Sequence, residues 1–232
     1  MDDSFHSELE NALAAVAQAA RAGPMRAYMR DQFAFLGVPT PQRRSAGLPL
    51  LRALKGAGAT ALLARAAALW NLPQREYQYV ALDLLALHVN ELDGSHIGAL
   101  LALAQRRAWW DSVDGMAGIV GSVLRAELAR GADAHAPMDA ALAHPDFWLR
   151  RIAMLHQLGW RAATDASRLF SYALTLAPEQ EFFIQKAVGW ALRDYAHHEP
   201  EAVRRFLAAS HGRLAALSYR EAGKHLAANP AS

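Results

Sequence analysis

Three features of this 232-residue chain predict an all-α fold. It is rich in Ala, Leu and Arg, all strong helix formers. β-branched residues are sparse, and no apolar run alternates over the length of a strand. Gly and Pro punctuate the segments of helical periodicity at short intervals. With 53% hydrophobic residues the chain can bury a sizeable core, and we expect one domain spanning residues 1–232.

The elements follow from the punctuation. A first helix is predicted near 4–21, closed by Gly23-Pro24, and a second near 25–35, ahead of Pro39-Thr40-Pro41. Segments 41–55 and 59–70 flank the stretch from Gly56 to Gly58. Segment 75–89 follows Leu72-Pro73, and 95–105 follows Asp93-Gly94. A long helix near 110–130 stops at Gly131. Pro145 separates 136–143 from 147–158, and Pro178 separates 164–175 from 181–196. Pro200 opens 199–209, and Gly212 precedes the last segment, 218–228.

Composition removes several function classes. The chain has no cysteine, which excludes disulfides, thiolate nucleophiles and Cys-ligated metal centres. The ten histidines show no HExxH or comparable spacing, and no metal site is expected. GxGxxG, Walker and GxSxG motifs are missing, so no cofactor is expected. The N-terminus is acidic, and no apolar run approaches the roughly 18 residues of a membrane span. We therefore expect a cytoplasmic protein without a membrane partner. Of 24 basic residues only Lys55, Lys186 and Lys224 are lysines, against a net charge of +2. Arginines gathered on one surface can hold nucleic acid even in a nearly neutral molecule, although a GC-rich genome also favours this composition.

An internal period is visible. Trp70, Trp110, Trp148 and Trp190 recur at intervals of 40, 38 and 42 residues, the length of a two-helix HEAT-like repeat. Such repeats stack into a superhelical solenoid with a concave face. Aligned by this period, Gln78, Asp114, Arg151 and Lys186 fall at successive equivalent positions, 36, 37 and 35 residues apart. A position that stays polar in otherwise apolar helices is expected to face the groove, with Trp110 and Trp190 one turn from Asp114 and Lys186.

The stretch Trp109-Trp110-Asp111-Ser112-Val113-Asp114 carries the most chemical information. On a helix, Trp110 and Asp114 share a face, setting a π surface beside an anion. That combination suits a cationic substrate. The plainer alternative makes Trp110 core, Asp111 a helix cap and Asp114 a solvated charge.

Five ordered segments resemble the DNA alkylation repair family of bacterial 3-methyladenine DNA glycosylases with HEAT-like repeats. They are YMRDQFAFL (28–36), REYQYVALDLL (75–85), WWDSVD (109–114), WLRRIAMLHQL (148–158) and FFIQKAVGWALRDY (182–195). The resemblance runs from about Met25 to the segment SYREAGKHL (218–226). It implies an α-helical solenoid that holds duplex DNA in its concave groove and excises cationic N-alkylated purines, chiefly 3-methyladenine and 7-methylguanine. The family's active-site residues match Trp110, Asp114, Arg151 and Trp190, and its N-terminal aromatic DNA contact matches Tyr28. Pro39 departs from the pattern of relatives that place a polar side chain near the opposite strand.

These residues support a defined chemistry. An alkylated purine already carries positive charge and leaves as a neutral base, so no general acid is needed. Asp114 would stabilise the developing oxocarbenium ion and position the attacking water. Trp110 and Trp190 would flank the cationic base, and Arg151 would grip a backbone phosphate. No lysine in the motif suits Schiff-base chemistry, which predicts monofunctional hydrolysis. Arg43, Arg44, Gln78, Trp109, Arg150, Lys186 and Arg193 are the further expected DNA contacts, with Arg106 and Arg107 extending the phosphate track. A monomer is expected. The competing reading is a HEAT-like module that binds damaged or branched nucleic acid, or a protein, without chemistry.

Overall fold

The computed structural model describes residues 3–226, which form thirteen α-helices and no strand. The chain divides into two compact units, Met1–Arg106 and Arg107–Ser232.

The first unit contains α1 (Asp3–Ala14), α2 (Ala19–Tyr28), α3 (Thr40–Arg52), α4 (Ala59–Trp70), α5 (Arg75–Leu87) and α6 (Ile97–Gln105). Helix α3 packs on α1 and α5, while α4 packs on α5 and α6. The first predicted helix is in fact shorter. It ends at Ala14, and α2 runs straight through Gly23 and Pro24, a pair expected to break it. The helix expected over 25–35 stops at Tyr28, because Arg30 and Asp31 both adopt positive φ, at 53° and 58°.

Tertiary contacts explain that early stop. The buried Glu76 carboxylate accepts the backbone N–H groups of Leu36, Gly37 and Val38 at 3.0, 2.9 and 3.1 Å. Arg75 donates its own N–H to the Ala34 carbonyl at 2.8 Å, and its buried guanidinium sits over the Phe33 ring. Continuing the helix would forfeit these bonds and leave a buried carboxylate unsatisfied. Gly37 turns the loop with φ of 88°, and a side chain there would run into the Gln18 carbonyl.

The second unit contains α7 (Trp110–Ala129), α8 (Ala136–Leu142), α9 (Phe147–Leu155), α10 (Ala166–Thr175), α11 (Phe182–Ala196), α12 (Pro200–Ala209) and α13 (Ala216–Ala222). Helix α9 packs between α7 and α11, and α13 packs against the other side of α11. Helices α8, α10 and α12 cover this row. Of the last predicted segment, residues 227 and 228 lie outside the described residues.

The tryptophan period does not mark equivalent structural places. Trp70 closes α4, Trp110 opens α7, Trp148 lies in the first turn of α9, and Trp190 is in the middle of α11. The polar alignment keeps its register better: Asp114, Arg151 and Lys186 are each the fifth residue of their helix, and Gln78 is the fourth of α5.

Close approach of α7 and α9 depends on Gly121, whose missing side chain leaves room for the His156 carbonyl. A Cβ at this position would collide with that backbone oxygen, so Gly121→Ala should lower stability by about 3 kcal/mol or more. Denaturant unfolding measures this. A variant as stable as wild type would show that the two helices can separate without cost.

His156 is itself buried, donates through Nδ1 to the Ala153 carbonyl at 2.6 Å, and meets Trp160 edge-on. Burial lowers its pKa to about 4 from an ordinary 6.5. The unfolded chain therefore takes up this proton first, and stability falls as pH drops from 6.5 towards 4, by about 3 kcal/mol in total. In His156→Gln this contribution to the acid slope should vanish, as a pH series of urea midpoints would reveal.

Candidate active site

Helix α7 begins where Trp109, in extended backbone, hands the chain to Trp110. The Trp109 indole is half-buried and packs on Trp148 and Phe183, with ring centroids 5.9 and 5.3 Å away. This aromatic cluster fixes the start of α7 against the starts of α9 and α11. Both of those helices are capped by an acidic side chain: Asp146 accepts from Trp148 N at 2.9 Å, and Glu181 accepts from Phe183 N at 3.2 Å. Three helix starts are thus held in one register.

One turn into α7, Asp114 meets Arg151 of α9. Arg151 Nε donates to Asp114 Oδ1 and Nη2 donates to Oδ2, both at 2.7 Å, a two-pronged pair. Its Nη1 donates to the Phe183 carbonyl at the start of α11. The Arg151 side chain is only 4% exposed, whereas that of Asp114 keeps 16%. Burial pushes the Asp114 carboxyl above its ordinary pKa; Arg151 opposes that push and Asp111 adds to it. A carboxylate has about four lone-pair sites, so two guanidinium bonds leave it acceptor capacity.

This geometry corrects the expected role of Arg151. Its fork is turned on Asp114 and the Phe183 carbonyl, inside the protein, and so acts on the carboxylate instead of on a phosphate. Gln78 is corrected likewise: it is fully buried, and its amide nitrogen donates to the Trp70 and Leu72 carbonyls at 3.1 and 2.9 Å. Arg150 spends Nη1 on the His144 and Pro145 carbonyls, at 2.7 and 2.8 Å, and pairs with Glu179 at 2.8 Å. Arg43 is buried against Tyr79 and pairs with Asp83 at 3.1 Å. The common reason is that a buried polar side chain satisfies its hydrogen bonds inside the protein: Gln78 and Arg150 meet carbonyls just before their own helices, while Arg43, Arg150 and Arg151 reach acids 29 to 40 residues away in the chain.

Other expected contacts remain at the surface. Trp190 is 38% exposed and Tyr28, the last residue of α2, is 71% exposed. Arg44 is exposed while sharing Asp83 with Arg43. Trp110 is half-buried at the first position of α7. Trp190 lines an open hollow with Leu158, Arg193, Asp194, His197 and His225. Lys186 and Arg193, on either side of Trp190, both pair with Glu221 of α13 at 2.9 Å.

Sequence reasoning did not single out Glu221, nor the glycines at 121 and 189 that let the helices approach. Glu221 carried one signal, an acid three residues before Lys224 on a helical face. The glycines stood inside strongly helical patterns, where a packing reason is the usual one.

The chain belongs to the DNA alkylation repair enzyme family, whose model matches residues 9–226. Repair of alkylation damage, with DNA as substrate, follows from that membership. A solved structure described as a predicted DNA alkylation repair enzyme from Enterococcus faecalis is 32% identical, with a TM-score of 0.84. The match covers 92% of this chain and 98% of that one. Comparison with curated proteins finds no match. No helix among the described residues is long and apolar enough to cross a membrane.

Because Asp114 is part-buried with a buried, dedicated partner, removing that partner alone should be costly. Arg151→Met should lose about 3 to 5 kcal/mol, and Asp114→Asn combined with Arg151→Met should lose clearly less than the two single losses added. Urea unfolding of the four proteins gives the coupling; strictly additive losses would mean that the two side chains do not interact.

Proposed function

We propose that the chain is a monofunctional DNA glycosylase that hydrolyses the N-glycosidic bond of positively charged N3- and N7-alkylated purines in duplex DNA, beginning base excision repair. Residues 1–232 act in this reading as one HEAT-like repair domain, as a monomer on the bacterial nucleoid and without a cofactor. The observation that carries it is the part-buried Asp114 carboxylate, gripped through both oxygens by Arg151 on a side chain that keeps 16% of its exposure.

The chemistry follows from charge. In the substrate the purine ring is cationic, and the bond between its N9 and the sugar C1′ breaks with both electrons moving to the ring. A neutral base leaves, and positive charge develops on the sugar. The Asp114 carboxylate stabilises that charge electrostatically. Water then adds to C1′ through its oxygen, and its proton passes by way of the carboxylate to solvent. Arg151 contributes indirectly, by fixing the orientation of the acid and opposing its neutralisation. Trp110 and Trp190 offer indole faces to the cationic ring, each contributing about 0.5–2 kcal/mol. Tyr28, Arg44, Lys186 and Arg193 contact the duplex, mostly through its phosphates.

A second reading draws on the same pair. A carboxylate with both oxygens engaged by a buried arginine is also what a structural ion pair provides, and it favours a non-catalytic module for damaged or branched nucleic acid or a protein partner. Base release separates the two. Purified protein with EDTA and duplex DNA containing 7-methylguanine or 3-methyladenine should liberate free base and leave an intact abasic strand. Asp114→Asn should slow release by about 100-fold or more while binding the duplex as well as, or better than, wild type. Duplex binding by wild type without release of either base would decide for the second reading.

A further inference from the structure

Glu221 draws three cations onto one carboxylate. Lys186 Nζ and Arg193 Nη1 of α11 donate to it at 2.9 Å, and Lys224 Nζ at 2.8 Å. Lys224, followed by Lys186, holds the Glu221 carboxyl down at about 2, well below its ordinary value, so it is ionised at neutral pH. The acid is also seated where it matters for Trp190. Helix α13 comes so close to α11 at Gly189 that a Cβ there would lie 2.5 Å from Glu221 Cβ and 2.9 Å from the Ser218 carbonyl. Gly189 immediately precedes Trp190. Ser218 adds a bond to the Gln185 carbonyl at 2.9 Å. Arg193, tied to Glu221, places its Cζ 6.0 Å from the centre of the Trp190 ring.

Lys186 and Arg193 therefore stand one turn to either side of an exposed indole, and one of them faces its ring. Left uncompensated, such cations repel a positively charged base from the indole and attract phosphate in its place. We propose that Glu221 is a specificity-determining residue, offsetting Lys186, Arg193 and Lys224 so that the Trp190 wall admits a cationic base. The proposal rests on the glycosylase reading. Glu221 does not touch the substrate; it is a positioning residue acting through Arg193 and the local field.

A purely structural acid and an electrostatic one make opposite forecasts for Glu221→Gln, which keeps the shape and removes the charge. The electrostatic role requires the two readouts to diverge. Unmodified duplex should bind more tightly, by about threefold at low salt and with a salt slope steeper by about one. Single-turnover release of 7-methylguanine at saturating enzyme should slow by about fivefold, and Glu221→Asp should restore most of the rate. Lys224 is 48% exposed, so Lys224→Met tests the same field with little risk to folding. It should move both readouts the other way, giving weaker duplex binding and faster release.

Weakening of both binding and release in Glu221→Gln, or no change in either, would overturn the proposal, as would slower release in Lys224→Met. If wild type releases base and Glu221→Gln matches its rate, only this proposal falls. If wild type binds DNA and releases no base, the glycosylase reading falls and takes the proposal with it.

Discussion

The bond between Arg151 and Asp114 is the constraint on which the rest of the second unit turns. A carboxylate buried on α7 would be costly alone, and its desolvation raises its affinity for a proton. The Arg151 fork counters both effects and reaches on to the Phe183 carbonyl, so one guanidinium joins three helices. Around it the structure removes every obstacle to close packing: Gly121 lets α9 approach α7, acidic caps set the starts of α9 and α11, and the Trp109, Trp148 and Phe183 rings fill the space between those starts. The acid is consequently held in one place and one orientation. That is the condition electrostatic catalysis sets, since a group that must reorganise during the reaction loses its advantage.

The same physics separates the expected contact residues that turn inward from those that stay at the surface. The repeat spacing of Gln78 and Arg151 predicts a groove-facing place for them, and Arg43 and Arg150 are expected as further DNA contacts. Gln78, Arg43, Arg150 and Arg151 instead satisfy carbonyls and acids inside each unit. A buried polar atom must find a partner, whereas a surface cation gains little from an exposed one. Of those that stay outside, Tyr28 ends α2, Arg44 lies on the exposed side of α3, and Trp190 lines an open hollow.

How much of this could be read from the sequence depends on how local the cause is. From α3 to α12 the helices were legible because Gly and Pro mark their limits and their cores follow helical periodicity. The end of α2 was not, since Glu76 and Arg75, some 40 residues away, hold residues 34–38 out of a helix. At the site, the register of Asp114, Arg151 and Lys186 was visible in their spacing. Their partners were not, because spacing along the chain does not show that Arg151 points at Asp114, or that Glu221 collects the charges beside Trp190. Burial and pairing are properties of the assembled helices.

The central claim is that the Arg151-held carboxylate of Asp114 performs the bond cleavage in its ionised form. Its most direct test compares two titrations on the same protein: the carboxyl carbon of Asp114 followed by NMR, assigned through Asp114→Asn, and the single-turnover rate of 7-methylguanine release across the same pH range. The account predicts that release falls on acidification with the midpoint at which Asp114 takes up its proton, above the ordinary aspartate value. Release that continues unchanged through that protonation would contradict it.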